Sequence, residues 1–261
     1  EVGEWVVTSG DSYQEFKVWD LEEWTCVKTV DAGQGGLCVM AECGGMLVTG
    51  GYQLIKLWKQ GTWTCLRTLY GHTDCVYDLV VHGDWLLSCS GDKTVRVWDR
   101  TSWECLRVVQ TGHTGGVTSL VAHDGKLYCG GRHGDPTIRV IDTTTWASVG
   151  MMEGHTDTVN QLLVREGKLF SCSFDRTIKT WGTGEGRACE QTLEEHTDWV
   201  RTMSVLGDRL LTGSHDKTVR VWGMDQGTGM WQCERVLRDH TETVRAMACT
   251  RDGRRVLSCD D

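Results

Sequence analysis

Histidine, a hydroxyl residue and aspartate are the side chains of a nucleophilic hydrolase, and this sequence repeats them as a set. His72 is followed by Ser88 and Asp92, His155 by Ser171 and Asp175, and His196 by Thr212 and Asp216. An acyl-transfer site needs such a set once, so three complete copies indicate scaffolding rather than catalysis. Other chemistry is sparse. His82, His123 and His133 fall on turns and share no metal-ligand spacing. The 13 cysteines include no Cys-x-x-Cys pair, and their number is odd. No Walker-type phosphate loop occurs, and the glycines of 182–186 belong to a turn. The only asparagine, Asn160, does not begin a glycosylation sequon. The expectation is a chain that is not an enzyme, with no catalytic residue, no cofactor, no metal and no small-molecule substrate.

The 261 residues suffice for one large domain or two small ones, and 39% hydrophobic with 24% charged residues suits a folded chain. The net charge of −9 argues against non-specific binding to phosphate backbones or anionic membranes, which need a basic surface. No apolar run approaches the roughly 20 residues of a membrane-spanning helix. Neither nucleic acid nor membrane is therefore expected as a partner. The chain opens at Glu1 without a methionine, so the lack of a targeting segment carries no weight. The cysteines read as small apolar residues, better explained by burial than by zinc, in a reducing compartment. That places the protein inside the cell, in the cytoplasm with the nucleus as the alternative. Thirteen tryptophans and 32 glycines, against one proline and three phenylalanines, point to a repeated unit.

The elements that must hold these residues repeat as well. The stretch LLSCSGDKTVRVWD (Leu86–Asp99) has counterparts at Val6–Asp20, Leu47–Lys59, Leu127–Asp142, Leu169–Gly182 and Leu210–Gly223. The closing positions are Trp19, Trp58, Trp98, Ile141, Trp181 and Trp222, spaced 39, 40, 43, 40 and 41 residues apart. GHTD, GHTG, GHTD, EHTD and DHTE open units at Gly71, Gly112, Gly154, Glu195 and Asp239. From histidine to closing position is 26, 28, 26 and 26 residues. Within a unit four short apolar or alternating runs follow one another: VYDLVV from Val76, WLLSCS from Trp85, TVRVWD from Thr94 and WECLRVV from Trp103. Turn residues such as Gly83-Asp84, Gly91-Asp92 and Thr101-Ser102 separate them. Four such strands cannot bury both faces alone, so neighbouring units must stack.

With this period, a Gly-His opening and a Trp-Asp closing, the chain resembles the WD40-repeat family over essentially its whole length. The resemblance implies an all-β propeller. It also implies that histidine, hydroxyl, aspartate and tryptophan form a structural hydrogen-bond network within a blade. The residues are His72, Ser88, Asp92 and Trp98; His155, Ser171, Asp175 and Trp181; and His196, Thr212, Asp216 and Trp222. Buried groups of this kind are tolerated when they satisfy one another. The unit ending at Trp58 lacks the histidine and the aspartate. The unit ending at Ile141 keeps His113 and Asp135 but has Cys129 and Ile141 at the other two places.

Naming the strands of a blade a to d from the axis outward, the sequence contains strand a six times, b seven times, and c and d six times each. Six blades need 24 strands and seven need 28, whereas the pattern supplies 25. The expectation for residues 1–261 is a fragment of a seven-bladed ring with both ends in incomplete blades. The alternative is a six-bladed closure.

The family often binds peptides on one loop face, through the residue after the first valine of strand a and the residue before the b–c aspartate. The resemblance carries these positions to Cys38, Tyr77, Thr118, Asn160, Arg201 and Arg245, and to Gly10, Gly91, Gly134, Phe174 and His215. Arg201, Arg245 and His215 lie in adjacent units, with Trp199 in the same loop as His196. Two guanidiniums beside an aromatic can grip a carboxylate or phosphate, so an acidic or phosphorylated peptide is the expected ligand. Tyr77, Asn160 and Phe174 would extend the rim. The alternative is solvated loop charges paired with Asp198, Glu242 or Asp216. A second regularity is a tryptophan at the start of strand d: Trp24, Trp63, Trp103, Trp146 and Trp231, often followed two residues later by cysteine. These rings either shield their blade edges or form an exposed belt for a partner; Gly186-Arg187 breaks the series. The function expected is a protein-interaction scaffold or adaptor. A substrate receptor of a ubiquitin ligase is the narrower alternative, and a propeller enzyme is the competing class.

Overall fold

The computed structural model describes residues 5–9, 14–33, 35–184, 187–250 and 253–260. These are all-β, with 24 strands and no helix. The chain divides into two compact units, Glu1–Gly112 and His113–Asp261.

In the first unit, β1 (Trp5–Ser9), β2 (Glu15–Asp20) and β3 (Cys26–Asp31) form a three-stranded antiparallel sheet. A seven-stranded sheet follows: β4 (Val39–Cys43), β5 (Met46–Gly50), β6 (Tyr52–Lys59), β7 (Thr64–His82), β8 (Trp85–Ser90), β9 (Thr94–Asp99) and β10 (Cys105–Gln110). Its width comes from one strand. The 19-residue β7 pairs with β6 through Thr64–Tyr70 and with β8 through Val76–His82. It is strand d of one repeat and strand a of the next, run together through the GHTD loop. The sequence pattern counts these as two strands, so the expected 25 are found as 24. The reason is a local pairing of Tyr52 with Cys75, which keeps the intervening loop extended.

The second unit holds three four-stranded antiparallel sheets and a two-stranded one. These are β11 (Val117–His123), β12 (Lys126–Gly131), β13 (Ile138–Asp142) and β14 (Ser148–Met152); β15 (Val159–Arg165), β16 (Lys168–Ser173), β17 (Ile178–Gly182) and β18 (Cys189–Leu193); β19 (Val200–Leu206), β20 (Arg209–Ser214), β21 (Val219–Met224) and β22 (Trp231–Leu237); and β23 (Ala246–Cys249) with β24 (Val256–Cys259).

Burial explains why the sequence reads as it does. Second strands such as WLLSCS and KLFSCS are buried at every residue after the first, on both faces, so they appear as continuous apolar or small runs. Fourth strands such as CLRVVQ are exposed except at one residue. The cores lie between sheets. Tyr128, Ile138, Val140 and Met152 of one sheet pack with Val159, Leu162, Leu169 and Trp181 of the next. Phe170, Cys172, Ile178 and Leu193 then pack with Val200, Met203, Leu210 and Trp222. In the first unit Phe16 and Val18 meet Leu47, Trp58 and Trp63. Close approach needs small residues at the seam. A Cβ on Gly213 would sit 2.6 Å from Val244 Cγ1, and one on Gly50 would sit 2.8 Å from Val76 Cγ1.

The turns from the third strand to the fourth share one construction. Asp20, Asp99 and Asp142 each accept two backbone N–H bonds from the residues two and three places on. The chain then passes through a left-handed tryptophan: Trp24, Trp63, Trp103 and Trp146 have φ of 56°, 57°, 60° and 59°. Such a conformation is unfavourable for a bulky residue, so the surroundings must compensate.

Candidate functional site

In three sheets the polar sets are assembled. Trp98 Nε1 donates to Ser88 Oγ at 2.9 Å, His72 Nε2 is 2.8 Å from the same oxygen, and His72 Nδ1 is 2.8 Å from Asp92 Oδ2. For Trp181, Ser171, His155 and Asp175 the distances are 2.8, 2.6 and 2.6 Å. For Trp222, Thr212, His196 and Asp216 they are 2.9, 2.7 and 2.8 Å. The consistent direction runs from indole N–H to hydroxyl, from hydroxyl O–H to His Nε2, and from Nδ1–H to carboxylate. The carboxylate also accepts the N–H of Thr73, Thr156 or Thr197 and the hydroxyl of Thr94, Thr177 or Thr218.

The electrostatics follow from this wiring. Burial lowers the His72 and His155 imidazoles below the ordinary histidine range, and the bond to aspartate only partly opposes it. For Asp92, Asp175 and Asp216 burial pushes upward, but the hydrogen bonds from histidine and threonine outweigh it and leave each carboxylate below its ordinary value. Ser88, Ser171 and Thr212 are fully buried, with the oxygen shared between an indole and an imidazole. The hydroxyl is saturated and has no approach for a substrate carbonyl.

The partial sets differ. Trp58 Nε1 donates to Thr49 Oγ1 and Trp19 Nε1 to Thr8 Oγ1, each at 2.9 Å, so the indole–hydroxyl link exists there too. In the Ile141 repeat, His113 Nε2 lies 3.3 Å from the Thr137 carbonyl, while Asp135 accepts Thr114 N–H at 2.8 Å. His240, outside the sets read from the sequence, lies 2.8 Å from Ser258 Oγ and 3.2 Å from Asp260. The repeating HT motif was its signal; the two-residue shift of its hydroxyl partner hid it.

The peptide-face residues are placed by a recurrent irregularity. Tyr77, Thr118, Asn160 and Arg201 each fall inside a register break between the first two strands of their sheet. The break re-aims a side chain, as β-bulges do. Four residues of the second unit come together. The Phe174 and Trp199 rings stack with centroids 4.6 Å apart and 12° between planes. The Arg201 guanidinium lies 5.1 Å from the Phe174 centroid and 5.7 Å from that of Trp199. His215 is 5.4 Å from the Trp199 ring and bonds Asp198 at 3.0 Å. Trp199 remains 39% exposed, an uncommon state for so large a ring. Beside it a cavity of about 490 Å³ is lined by Thr156, Asp157, Phe174, Asp175, Arg176, Thr197, Asp198 and Trp199.

The other expected members stand apart. Asn160 donates its side-chain amide to the Arg201 carbonyl, so its polar end is engaged within the fold. Arg245 is exposed, with its backbone N–H bonded to Cys259 O at 2.9 Å. Tyr77 belongs to the first unit. Gly10 and Gly186 lie outside the described residues.

Two sequence regularities resolve differently from expectation. Burial accounts for Cys89, Cys129 and Cys172 but not for the cysteines of the fourth strands. Cys26, Cys65, Cys105 and Cys189 are exposed. Each pairs across the ladder with the closing tryptophan: Trp19 with Cys26, Trp58 with Cys65, Trp98 with Cys105, Trp181 with Cys189, and likewise Trp222 with Cys233. Where Ile141 replaces tryptophan, Ser148 replaces cysteine. The strand-d tryptophans are no uniform belt. Trp63 and Trp231 are buried, packed edge-on against Phe16 and Phe170 of the preceding sheet, while Trp24 is 48% exposed.

Comparison with known proteins agrees with this architecture. The family described as "WD domain, G-beta repeat" matches residues 63–99, 103–142, 146–182, 187–223 and 231–261. "WD repeat-containing protein 75" of Mus musculus is 44% identical over 52 residues, which is 19% of this chain and 6% of that protein's length. The solved "Structure of U3-55K" superposes with a TM-score of 0.87 at 20% identity, covering 98% of this chain and 84% of that one.

Proposed function

This chain belongs to the WD40 repeat family, whose propellers are generally non-enzymatic protein-interaction scaffolds, and we propose that it binds peptide segments of partner proteins on its loop face. The observation that carries this reading is the stacked Phe174–Trp199 pair, half-open beside a polar cavity and held by Arg201. Rigid sheets present these loops already ordered, so little entropy is lost when a peptide docks. Aromatic side chains with an adjacent arginine are the residue types that dominate interface energetics. On this reading the buried hydroxyls fasten sheets and catalyse nothing, and no nucleic acid, membrane or small-molecule substrate is involved. The cytoplasm is the compartment we propose for it.

A narrower reading rests on two cations at this place: Arg176 lines the cavity, and the Arg201 guanidinium lies over the Phe174 and Trp199 rings. The ligand would then be an acidic or phosphorylated motif, and a ubiquitin-ligase substrate receptor is the kind of protein this would make the chain. Peptide-array capture by the full chain tests both. Phe174→Ala with Trp199→Ala should weaken binding at least tenfold while leaving the melting curve close to wild type. Unchanged capture would remove the site. Arg201→Glu with Arg245→Glu should abolish preference for acidic over neutral peptides. Arg245→Glu alone supplies the arm in which the aromatic stack is untouched.

A further inference from the structure

The loops between second and third strands carry a recurrent latch. Gln53, Arg176 and Lys217 each stand two residues before the first third-strand residue that pairs with the second strand, in the left-handed region at φ of 65°, 73° and 66°. From there Gln53 Nε2 donates to the Thr73 carbonyl at 2.8 Å. Lys217 Nζ donates to the Thr241 carbonyl at 2.7 Å and lies 3.4 Å from Glu242. Both acceptors directly follow the histidine of the next repeat, and the residue in that place for Arg176 is Thr197. The Arg176 guanidinium makes no such bond to any described residue, and the seam stands open there as the cavity of about 490 Å³. The carboxylates of the cavity wall are already engaged. Asp157 accepts the Thr158 N–H at 2.6 Å and pairs with His133 at 3.2 Å, and Asp175 is wired to His155. Asp198 accepts the Trp199 N–H at 2.8 Å and pairs with His215 at 3.0 Å. These two hold Asp198 below the ordinary carboxylate range, with the Arg176 charge the least of the causes.

We propose that Arg176 anchors the docked peptide: the peptide supplies the carbonyl oxygen that Thr197 does not, and the Arg176 guanidinium donates to it while the peptide covers Trp199. Arg176 holds this role on the peptide reading of the face given above. The acceptor is a neutral amide oxygen, of the main chain or of an Asn or Gln side chain, and not a carboxylate. Asp157, Asp175 and Asp198 already line the seam, and a further negative charge among them would be repelled. A carbonyl meets no such repulsion, and it is what the latches at Gln53 and Lys217 accept from their own chain. Arg176 is exposed, so its donors are met by solvent, and docking exchanges water for carbonyl without breaking a bond of the fold. The planar fork of arginine can serve one carbonyl with two donors or two carbonyls with one each.

The test swaps latches in the full chain and measures capture of array-selected peptides. Arg176→Gln and Arg176→Lys place at this seam the side chains that are latched at Gln53 and Lys217. Both should bond the Thr197 carbonyl, slow hydrogen exchange across 194–199 and weaken capture about tenfold, although lysine keeps the charge. Arg176→Ala should weaken capture as much without slowing exchange. A thioamide scan of one captured peptide should find a position where sulfur in place of oxygen weakens binding to the wild type but not to Arg176→Ala. Capture by Arg176→Gln or Arg176→Lys equal to that of the wild type would overturn the proposal, and so would exchange already as slow in the wild type as in Arg176→Gln. Dependence on Arg176 confined to peptides carrying Asp or Glu would overturn it too, and would leave the acidic reading standing. Capture lost in Phe174→Ala with Trp199→Ala but kept in every Arg176 variant removes this anchor and keeps the peptide reading. A wild type that captures no peptide removes both.

Discussion

Two adjacent sheets of the second unit solve one packing problem with different chemistry. In β15–β18 the second strand carries Ser171 and the third carries Trp181, and both are wired to His155 and Asp175. In β11–β14 the same places hold Cys129 and Ile141, fully buried and apolar, while His113 turns to a backbone carbonyl. The ladders match: both sheets have four antiparallel strands and the same register break at the entry. The sheet therefore does not require the polar set. Replacing both members of a hydrogen-bonded pair by apolar groups can be close to neutral, whereas removing one leaves its partner buried and unsatisfied.

The largest effect should come from breaking the wired sheet at its ring. Trp181→Ala should cost about 3–5 kcal/mol, read by urea unfolding, because it empties a site packed against Tyr128, Ile138 and Val140. Ser171→Ala should follow at about 2–3 kcal/mol, since His155 Nε2 and Trp181 Nε1 both lose their partner in a buried site. Cys129→Ala, one strand position in the unwired sheet, should cost less than Ser171→Ala. Equal losses would mean that the polar set adds nothing specific.

The comparison sharpens in the double variant. Ser171→Cys with Trp181→Ile rebuilds the neighbouring sheet's solution and should cost less than the sum of the two single changes. Strict additivity would refute joint replacement as the reason that Cys129 and Ile141 coexist.

Acid should weaken the wired sheets by a predictable route. His155 and His72 bind a proton less readily folded than unfolded, so stability is complete above about pH 6.5 and falls as pH drops through the folded value. Asp92, Asp175 and Asp216 are also held low, so their contribution is present above the ordinary carboxylate range and is lost as pH falls further. Melting temperature should hold from pH 7.5 to about pH 6.5 and decline from there to pH 4; a flat profile over the lower range would refute the assignment. The smallest expected effect is a gain. Tyr128 is buried and its hydroxyl has no hydrogen-bond partner among the described residues, so Tyr128→Phe should stabilise by about 0.5–1 kcal/mol.

Much of this fold was legible because its signals are local and repeated. A glycine-rich turn, a histidine 26 residues before a tryptophan and four short runs recur often enough to identify each strand. The fused β7 escaped because one pairing, Tyr52 with Cys75, overrides the loop chemistry of GHTD. The fourth-strand cysteines were misread as core because cross-strand pairing with tryptophan leaves no mark within a single strand.

The resemblance to the family implied which histidine belongs with which hydroxyl, aspartate and tryptophan; the residue pattern alone determined the run of strands and the repeat register. Those follow from spacing along one chain, which periodicity records. Tertiary structure alone decided that Phe174 stacks on Trp199 under Arg201 and that Asn160 is spent on a carbonyl. These contacts join different repeats, and their geometry depends on how closely sheets approach and where each bulge turns its side chain. No single repeat carries that information.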